Sequence, residues 1–164
     1  MEELERKFLF KEPTNYLMQL KRRSPNKVKH IEQYFILIEN YREMRVRKTT
    51  ENNIIKYELI IKEGSGGMRE EITFSISSSM YNYMKEKSIG YIEKDRLLFE
   101  LDYGLVAEID FFNNFIMAEI EFDNGYQYME FDEFKFKELG LTIDFEEVTN
   151  NSDFYNKNIA IEGG

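Results

Sequence analysis

The chain has 164 residues, 42% of them hydrophobic and 15% aromatic, which predicts one folded domain over residues 1–164 and excludes a disordered chain. It contains no cysteine and one histidine, so disulfides, thiolate sites and imidazole clusters are excluded, and any metal must be held by oxygen. The net charge of −9 argues against a general nucleic-acid binder, although a locally basic cleft can still bind an anionic ligand.

No apolar run approaches the roughly 20 residues that span a bilayer, and the first residues show no signal-peptide pattern. We therefore expect a soluble, cytoplasmic protein without a membrane partner. Both a monomer and a homodimer are compatible with the sequence.

The first predicted strand covers residues 3–10 and carries charge on one side. Alternate side chains of a strand share a face, so Glu3, Glu5 and Lys7 point the same way. Two carboxylates beside an ammonium suit a divalent cation with an anion bound next to it. A solvated polar face is the alternative for this stretch alone, but the same arrangement recurs on later strands.

Two loops in the first half resemble phosphate-binding segments only superficially. A helix is predicted to begin at Pro13 and Thr14, and the basic loop after it, residues 21–26, is typical of a solvated loop. Residues 64–67 predict a hairpin turn, because no Gly-Lys-Ser/Thr follows them as in a P-loop.

Basic residues occur at strand spacing in three places. Arg45 and Arg47 share one face of a strand, and Lys62 ends the apolar strand that returns from it. An ammonium at the end of an apolar run is costly unless it meets an anion. Lys94 and Arg96 repeat the spacing on a later strand over residues 91–100.

Acidic pairs follow on the next two predicted strands. Glu108 and Asp110 share one face, and Glu119 and Glu121 share another, with apolar residues between them. Helices interrupt the strands only briefly: residues 77–79 offer caps for a short helix that Gly90 ends. We also predict a helix from Asp132 to Leu139 that ends at Gly140.

About eight strands with hairpin-like gaps predict a mainly β, α+β protein built on an antiparallel sheet or barrel. Charges on a merely solvated face would not be sorted by sign from strand to strand. A closed eight-stranded antiparallel barrel with a polar lumen, and with short helices packed outside its apolar exterior, explains the pattern best.

These residues resemble a known family. The segment Glu3-Leu4-Glu5-Arg6-Lys7 is similar to the ExExK signature of the CYTH superfamily, the triphosphate tunnel metalloenzymes. The resemblance covers nearly the whole chain and includes Arg45-Val46-Arg47, the strand ending in Lys62, Lys94-Asp95-Arg96, Glu108-Ile109-Asp110, Ala118-Glu119-Ile120-Glu121-Phe122, Glu147-Val148-Thr149 and Phe154-Tyr155-Asn156-Lys157.

The resemblance implies an eight-stranded tunnel that binds a small triphosphate with Mg²⁺ or Mn²⁺. It implies Glu3, Glu5, Asp110, Glu119 and Glu121 as metal ligands. The residues implied to hold phosphate oxygens are Lys7, Arg45, Arg47, Lys62 and Arg96, with Arg69 and Lys157 as further contributors. The implied catalytic residues are Lys94, which would activate water or protonate the leaving group, and Glu5. Family members include inorganic tripolyphosphatases, thiamine triphosphatases and class IV adenylate cyclases.

Three positions depart from the family pattern. Thr73 replaces a frequent glutamate, and Asp153 precedes Phe154 where a basic residue is common. Tyr34 and Phe35 follow Gln33 where Gly-Tyr is usual, so the partner of the catalytic lysine stays open.

The expected function is metal-dependent hydrolysis of inorganic tripolyphosphate or a related small triphosphate. An adenylate cyclase and a non-catalytic triphosphate- or polyphosphate-binding module are the alternatives. The number of metal ions and the group carried by the triphosphate stay open.

Overall fold

The computed structural model describes residues 2–10, 27–65, 68–101, 104–132 and 145–161. Their strands are β1 (Glu2–Phe10), β2 (Lys27–Ile38), β3 (Arg42–Glu51), β4 (Ile54–Ser65), β5 (Met68–Ser75), β6 (Gly90–Glu100), β7 (Val106–Phe111), β8 (Ile116–Phe122) and β9 (Phe145–Glu147). Their helices are α1 (Ser78–Lys85), α2 (Gly125–Glu130) and α3 (Asn156–Ile161), and a 3-10 turn covers Ser152–Phe154.

Eight of the strands close into an antiparallel barrel. The order is β5-β4-β3-β2-β6-β7-β8-β1, and β1 pairs with β5 to complete the circle, with Glu3 opposite Arg69. Strand β9 pairs with the second half of β1, where Phe10 lies opposite Phe145. The predicted closed eight-stranded barrel is therefore confirmed, with one additional strand.

On one half of the barrel, the apolar side chains point outward and form a hydrophobic cluster on the outer surface. Phe8, Ile109, Ala118 and Ile120 are fully buried there, and Phe131 beyond helix α2 packs against Phe8 with ring centroids 5.9 Å apart. Because side chains alternate along a strand, burying these residues outside turns their neighbours into the lumen.

A second apolar cluster packs one end of the lumen. Phe35, Ile92 and Met117 occupy lumen-side positions and pack with residues of α3 and of the segment after β9. Helix α3 lies so close to Gly90 that an added Cβ would sit 3.0 Å from the Ala160 Cβ. The prediction that Gly90 ends the preceding helix is wrong: α1 ends at Lys85, and Gly90 begins β6.

Helix α1 covers part of the outer face of β2 to β4. Its N-cap is Ser77, whose hydroxyl accepts a hydrogen bond from the Met80 amide at 3.1 Å, which confirms the predicted cap. Tyr81 of this helix contacts the rings of Tyr34 and Tyr57, with centroid distances of 6.1 and 5.0 Å. Tyr34 is therefore an outward-facing residue.

The element boundaries differ from the sequence-based ones at several points. Strand β2 covers Lys27–Ile38, and its first residues pair with β6. Helix α2 was not predicted, although Asn124 caps it by accepting from the Gln127 amide. Asp132 follows α2 outside any helix, and the rest of the helix predicted there lies outside the described residues, as does the one predicted from Pro13. In the described ranges, no helix is long and apolar enough to cross a membrane.

A charged cavity inside the barrel

The barrel encloses a polar cavity with an empty volume of about 520 Å³, including its opening. Its wall contains six carboxylates, four cationic side chains and one amide. They are Glu3, Glu5, Glu71, Glu108, Glu119, Glu121, Arg45, Arg47, Lys62, Arg96 and Asn156. The predicted polar lumen is thus present, with cations from β3, β4 and β6 and carboxylates from β1, β5, β7 and β8.

Strand register places acidic side chains opposite each other on β1 and β8. Glu5 is the cross-strand partner of Glu121, and Lys7 is the partner of Glu119. Directly opposed side chains on one face of an antiparallel pair lie close together, so like charges at these positions repel. A cation between them would relieve this repulsion.

Glu3 has a pKa far above the usual value of a carboxyl group. Burial, together with hydrogen bonds to Glu71 and Glu5, raises the pKa of Glu3 to about 9 against the pull of Lys62. The Lys62 ammonium lies 2.8 Å from Glu3 and 3.2 Å from Glu71. Glu3 therefore holds a proton at neutral pH, a proton that a metal cation would displace.

Lys7 lies beneath this wall and keeps two carboxylates ionised. Its ammonium is 3.6 Å from Glu5 and 3.5 Å from Glu119. Burial opposes ionisation of Glu119, but Lys7, Lys94 and Arg96 outweigh it and hold the pKa of Glu119 well below its usual range. Glu119 is consequently a carboxylate under any physiological condition.

Arg47 supplies a cation without a carboxylate partner among the described contacts. Its guanidinium donates to the neutral Gln33 Oε1 at 3.2 and 3.1 Å. Burial, together with Arg45 and Arg96, lowers the pKa of Arg47 to about 10. The two neighbouring guanidinium groups that help to lower the pKa of Arg47 make this part of the wall favourable for a bound anion.

Arg96 links two acidic strands. It donates two hydrogen bonds to Asp110, at 2.6 and 2.8 Å, and its Nη1 lies 2.6 Å from Glu108. Its Nη2 lies 3.6 Å from Glu119. This bidentate geometry fixes the guanidinium at the cavity wall.

Lys94 lies deeper and is completely buried. Its ammonium is 2.7 Å from Asp110 Oδ2 and donates to Asn156 Oδ1 at 3.4 Å. Burial lowers the pKa of Lys94 to about 8 even though Asp110 opposes the shift. The question of its tyrosine partner is answered by orientation: Tyr34 faces α1 outside the barrel, and Phe35 faces the lumen near Arg45. Asp110 and Asn156 take that place.

The structure brings eight of the predicted site residues to the cavity wall: Glu3, Glu5, Arg45, Arg47, Lys62, Arg96, Glu119 and Glu121. Four others, Lys7, Arg69, Lys94 and Asp110, are buried below it. Lys157 is not brought to the wall, since its ammonium donates to the backbone carbonyls of Glu39 and Asn40. Asp110 has both oxygens engaged by Lys94 and Arg96.

Sequence reasoning did not assign several residues of the site. Glu71 and Glu108 line the cavity, and Glu43 and Gln33 are buried among its arginines. The three acidic residues, Glu43, Glu71 and Glu108, each lie two positions from a predicted site residue on the same strand. Because alternate residues of a strand share a face, this spacing could have identified all three. Asn156 begins helix α3 and so lacks the strand spacing, but it lies in the segment Phe154-Tyr155-Asn156-Lys157 that carries part of the family resemblance.

The donor set fits a hard divalent cation in its chemistry. Within the described residues, no three acidic side chains are close enough together to hold one ion as they stand. The potential ligand atoms of the wall are nevertheless oxygens, from six carboxyl groups and the Asn156 amide, and the buried Glu119 Oε1 has no hydrogen-bond partner. Mg²⁺ and Mn²⁺ prefer such oxygen ligands. The proton held by Glu3 supplies positive charge at a position where a metal cation could replace it.

No protein-family model and no curated protein matches the chain. Solved structures do match. HpAC1 from Hippeastrum, a candidate adenylyl cyclase with a dominant triphosphatase activity, has 18% identity and a TM-score of 0.74, with 98% of this chain and 96% of that chain covered. The inorganic triphosphatase NE1496 has 20% identity and a TM-score of 0.59, covering 97% and 94%. PH1819 from Pyrococcus horikoshii has 18% identity and a TM-score of 0.66, covering 88% and 93%.

These similarities extend over nearly the whole chain and define its fold class. The chain shares the closed-barrel fold of these structures, which is the fold that the ExExK resemblance implied.

Proposed function

We propose that the protein hydrolyses inorganic tripolyphosphate or a related small triphosphate inside its barrel, with Mg²⁺ or Mn²⁺. The observation that carries the proposal is a single cavity in which Arg45, Arg47 and Arg96 face a wall of carboxylates. NE1496 and HpAC1, which share the fold, have triphosphatase activity, and this supports the same chemistry here.

The arginines would bind the phosphate chain. A triphosphate spreads negative charge over many oxygens, and guanidinium groups bind such oxygens in a fork-shaped, bidentate manner. Arg47 has the greatest gain from this contact because its described partner is the neutral Gln33. Lys62 would move from Glu3 towards a phosphate oxygen once a metal cation displaces the Glu3 proton and takes its place beside that side chain.

The acidic wall would hold the metal. Glu3, Glu5, Glu119 and Glu121 line the cavity and are the proposed ligands. A bound Mg²⁺ or Mn²⁺ would offset phosphate charge and act as a Lewis acid on the transferred phosphoryl group. Asp110, also implied as a ligand, would have to leave Lys94 and Arg96; in the described arrangement it positions these two cations.

Lys94 and Glu5 are the proposed catalytic residues. With its pKa lowered to about 8, Lys94 can exchange a proton near neutral pH more readily than an ordinary lysine. The proton would pass to or from the reacting water or leaving oxygen. Burial opposes ionisation of Glu5, but Lys7 and Lys62 outweigh it and lower the pKa of Glu5. Glu5 is therefore present as a carboxylate that can accept a proton at the cavity wall, although it is a weaker base than an ordinary glutamate.

The test is a turnover assay with tripolyphosphate, ATP and thiamine triphosphate, each with Mg²⁺, Mn²⁺ or EDTA. We expect phosphate release that requires metal and that Arg47→Ala reduces, while Arg42→Ala, which changes an exposed arginine, has no effect. Cyclic AMP from ATP would instead identify a cyclase. Binding without any product would identify a binding module.

A further inference from the structure

A buried cluster of three charged residues, Glu43, Arg45 and Arg69, lies at the inner side of the cavity, and the proposed function uses only Arg45 among them. Glu43 on β3 has only 1% of its surface exposed. Its Oε1 lies 3.4 Å from Arg45 Nη1, and its Oε2 lies 3.2 Å from Arg69 Nη2. Burial opposes ionisation, but Arg45 and Arg69 hold the pKa of Glu43 below its usual range.

The contacts within this cluster are poorly satisfied. Among the described residues, seven buried side-chain nitrogen or oxygen atoms lack a hydrogen-bond partner, and five of them belong to Glu43, Arg45 and Arg69. The Glu43 carboxylate lies within ion-pair distance of both guanidinium groups, but its oxygens form no hydrogen bond with them. Buried polar atoms left in this state cost free energy, so a better acceptor would gain by taking these donors.

The position of Glu43 relates the cluster to the cavity. Arg45 lines the cavity wall, whereas Glu43 and Arg69 are not part of that wall. On strand β3, Glu43 is paired on one side with Ile38, which packs against the apolar cluster that fills one end of the lumen, and on the other side with Lys62 of the cavity wall. Glu43 therefore lies where the cavity meets the filled end of the lumen.

We propose that Glu43 is an internal anion that occupies Arg45 and Arg69 and so limits how far a phosphate chain enters the barrel. This inference rests on the proposed function and adds a substrate specificity to it: the protein would prefer chains of three phosphates to longer linear polyphosphates. A phosphate chain bound at Arg45 from the cavity side would meet the repulsion of the Glu43 carboxylate if it extended further in. A longer chain would have to displace Glu43 from both arginines, which would leave a buried carboxylate without its two closest counter-ions.

The substitution Glu43→Gln keeps the size of the side chain and removes its charge. We expect the kcat/KM ratio of tetrapolyphosphate to tripolyphosphate to rise at least fivefold in Mg²⁺, since Arg45 and Arg69 become free to bind an additional phosphate. Isothermal titration in EDTA should show tetrapolyphosphate gaining more affinity than tripolyphosphate. The matched control is Glu63→Gln, which neutralises an exposed carboxylate paired with Arg42 and should leave both ratios unchanged.

A second variant protects the test against misfolding, because Glu43→Gln leaves two buried arginines without their counter-ion. Glu43→Gln combined with Arg69→Gln keeps the net charge, leaves Arg45 free, and should also raise the ratio.

An unchanged ratio in folded variants, or an equal loss for both chain lengths, would overturn the inference and make Glu43 a positioning residue. If the folded wild-type protein neither binds nor hydrolyses any of these compounds, the proposed function fails and the inference fails with it. Activity of the wild type with an unchanged ratio would remove the inference alone.

Discussion

The ammonium of Lys94 lies 2.7 Å from Oδ2 of Asp110, and both side chains are completely buried. A buried pair of this kind is costly to break, because removing one partner leaves an uncompensated charge. Asp110 also accepts two hydrogen bonds from Arg96, so its carboxylate holds two cations in place.

Asp110→Asn should therefore lower the free energy of unfolding by about 3–5 kcal/mol. Adding Lys94→Met should recover part of that loss, because it removes the unpaired ammonium. Urea denaturation of the single and double variants measures both effects. Glu63→Gln, at an exposed pair, is expected to change stability by less than about 1 kcal/mol. Strict additivity of the two buried substitutions would contradict this account.

Arg47→Ala should reduce kcat/KM for a triphosphate by one to two orders of magnitude, corresponding to about 1.5–3 kcal/mol for a charge-assisted contact. The fold should tolerate the change, because Arg47 is crowded by Arg45 and Arg96, which help to lower its pKa to about 10. Steady-state kinetics and a melting curve make the comparison, with Arg42→Ala as the control. Wild-type kinetics in Arg47→Ala would place this arginine outside the substrate site.

Glu119→Gln should lower activity at least about a hundredfold, because a divalent ion supplies several kcal/mol of transition-state stabilisation and requires a charged ligand. The metal-free variant should also melt lower than wild type, since Lys7 and Arg96 lose the carboxylate they pair with. Mg²⁺ should raise the melting temperature of wild type more than that of the variant. Equal shifts in both proteins would exclude Glu119 as a ligand.

The ion pairs of His30, which lie outside the cavity, should make the free energy of unfolding depend on pH. Its ring nitrogens lie 2.7 Å from Asp95 and 2.9 Å from Glu93, and the hydrogen bond to Asp95 raises the pKa of His30. A raised folded-state pKa gives stability that is complete below the unfolded value of about 6.5 and is lost as the pH rises through the folded value. The stability difference between wild type and His30→Gln should accordingly be larger at acidic pH than at alkaline pH. A difference that grows with rising pH would contradict the assignment.

Gly90→Ala tests the packing of helix α3 against the barrel. The added Cβ would meet the Ala160 Cβ at 3.0 Å and its carbonyl carbon at 3.3 Å, so we expect a loss of about 1–3 kcal/mol from overpacking. Ala160→Gly in the same chain should recover part of that loss, because it removes the atom in closest contact. Thermal unfolding of both variants measures this, and full stability of Gly90→Ala would show that the helix can shift.

The sequence by itself determined which side chains face the lumen. In a regular strand, the face on which a side chain lies depends only on whether its position is odd or even. Glu3 and Glu5 therefore share a face, as do Arg45 and Arg47, whichever strand lies next to them. The apolar residues between them then select the outer face. This local rule is why the closed barrel and most of its cavity wall could be predicted without coordinates.

Only the tertiary structure decided how deep each group lies and which charges pair. Register around a closed barrel places Glu121 at an exposed position opposite Glu5, buries Asp110 against Lys94, and directs Glu43 to two arginines. These relationships join residues far apart in sequence, and no local period contains them. They depend on strand tilt and on where α3 packs against the barrel, because those features fix the distance between charges on different strands.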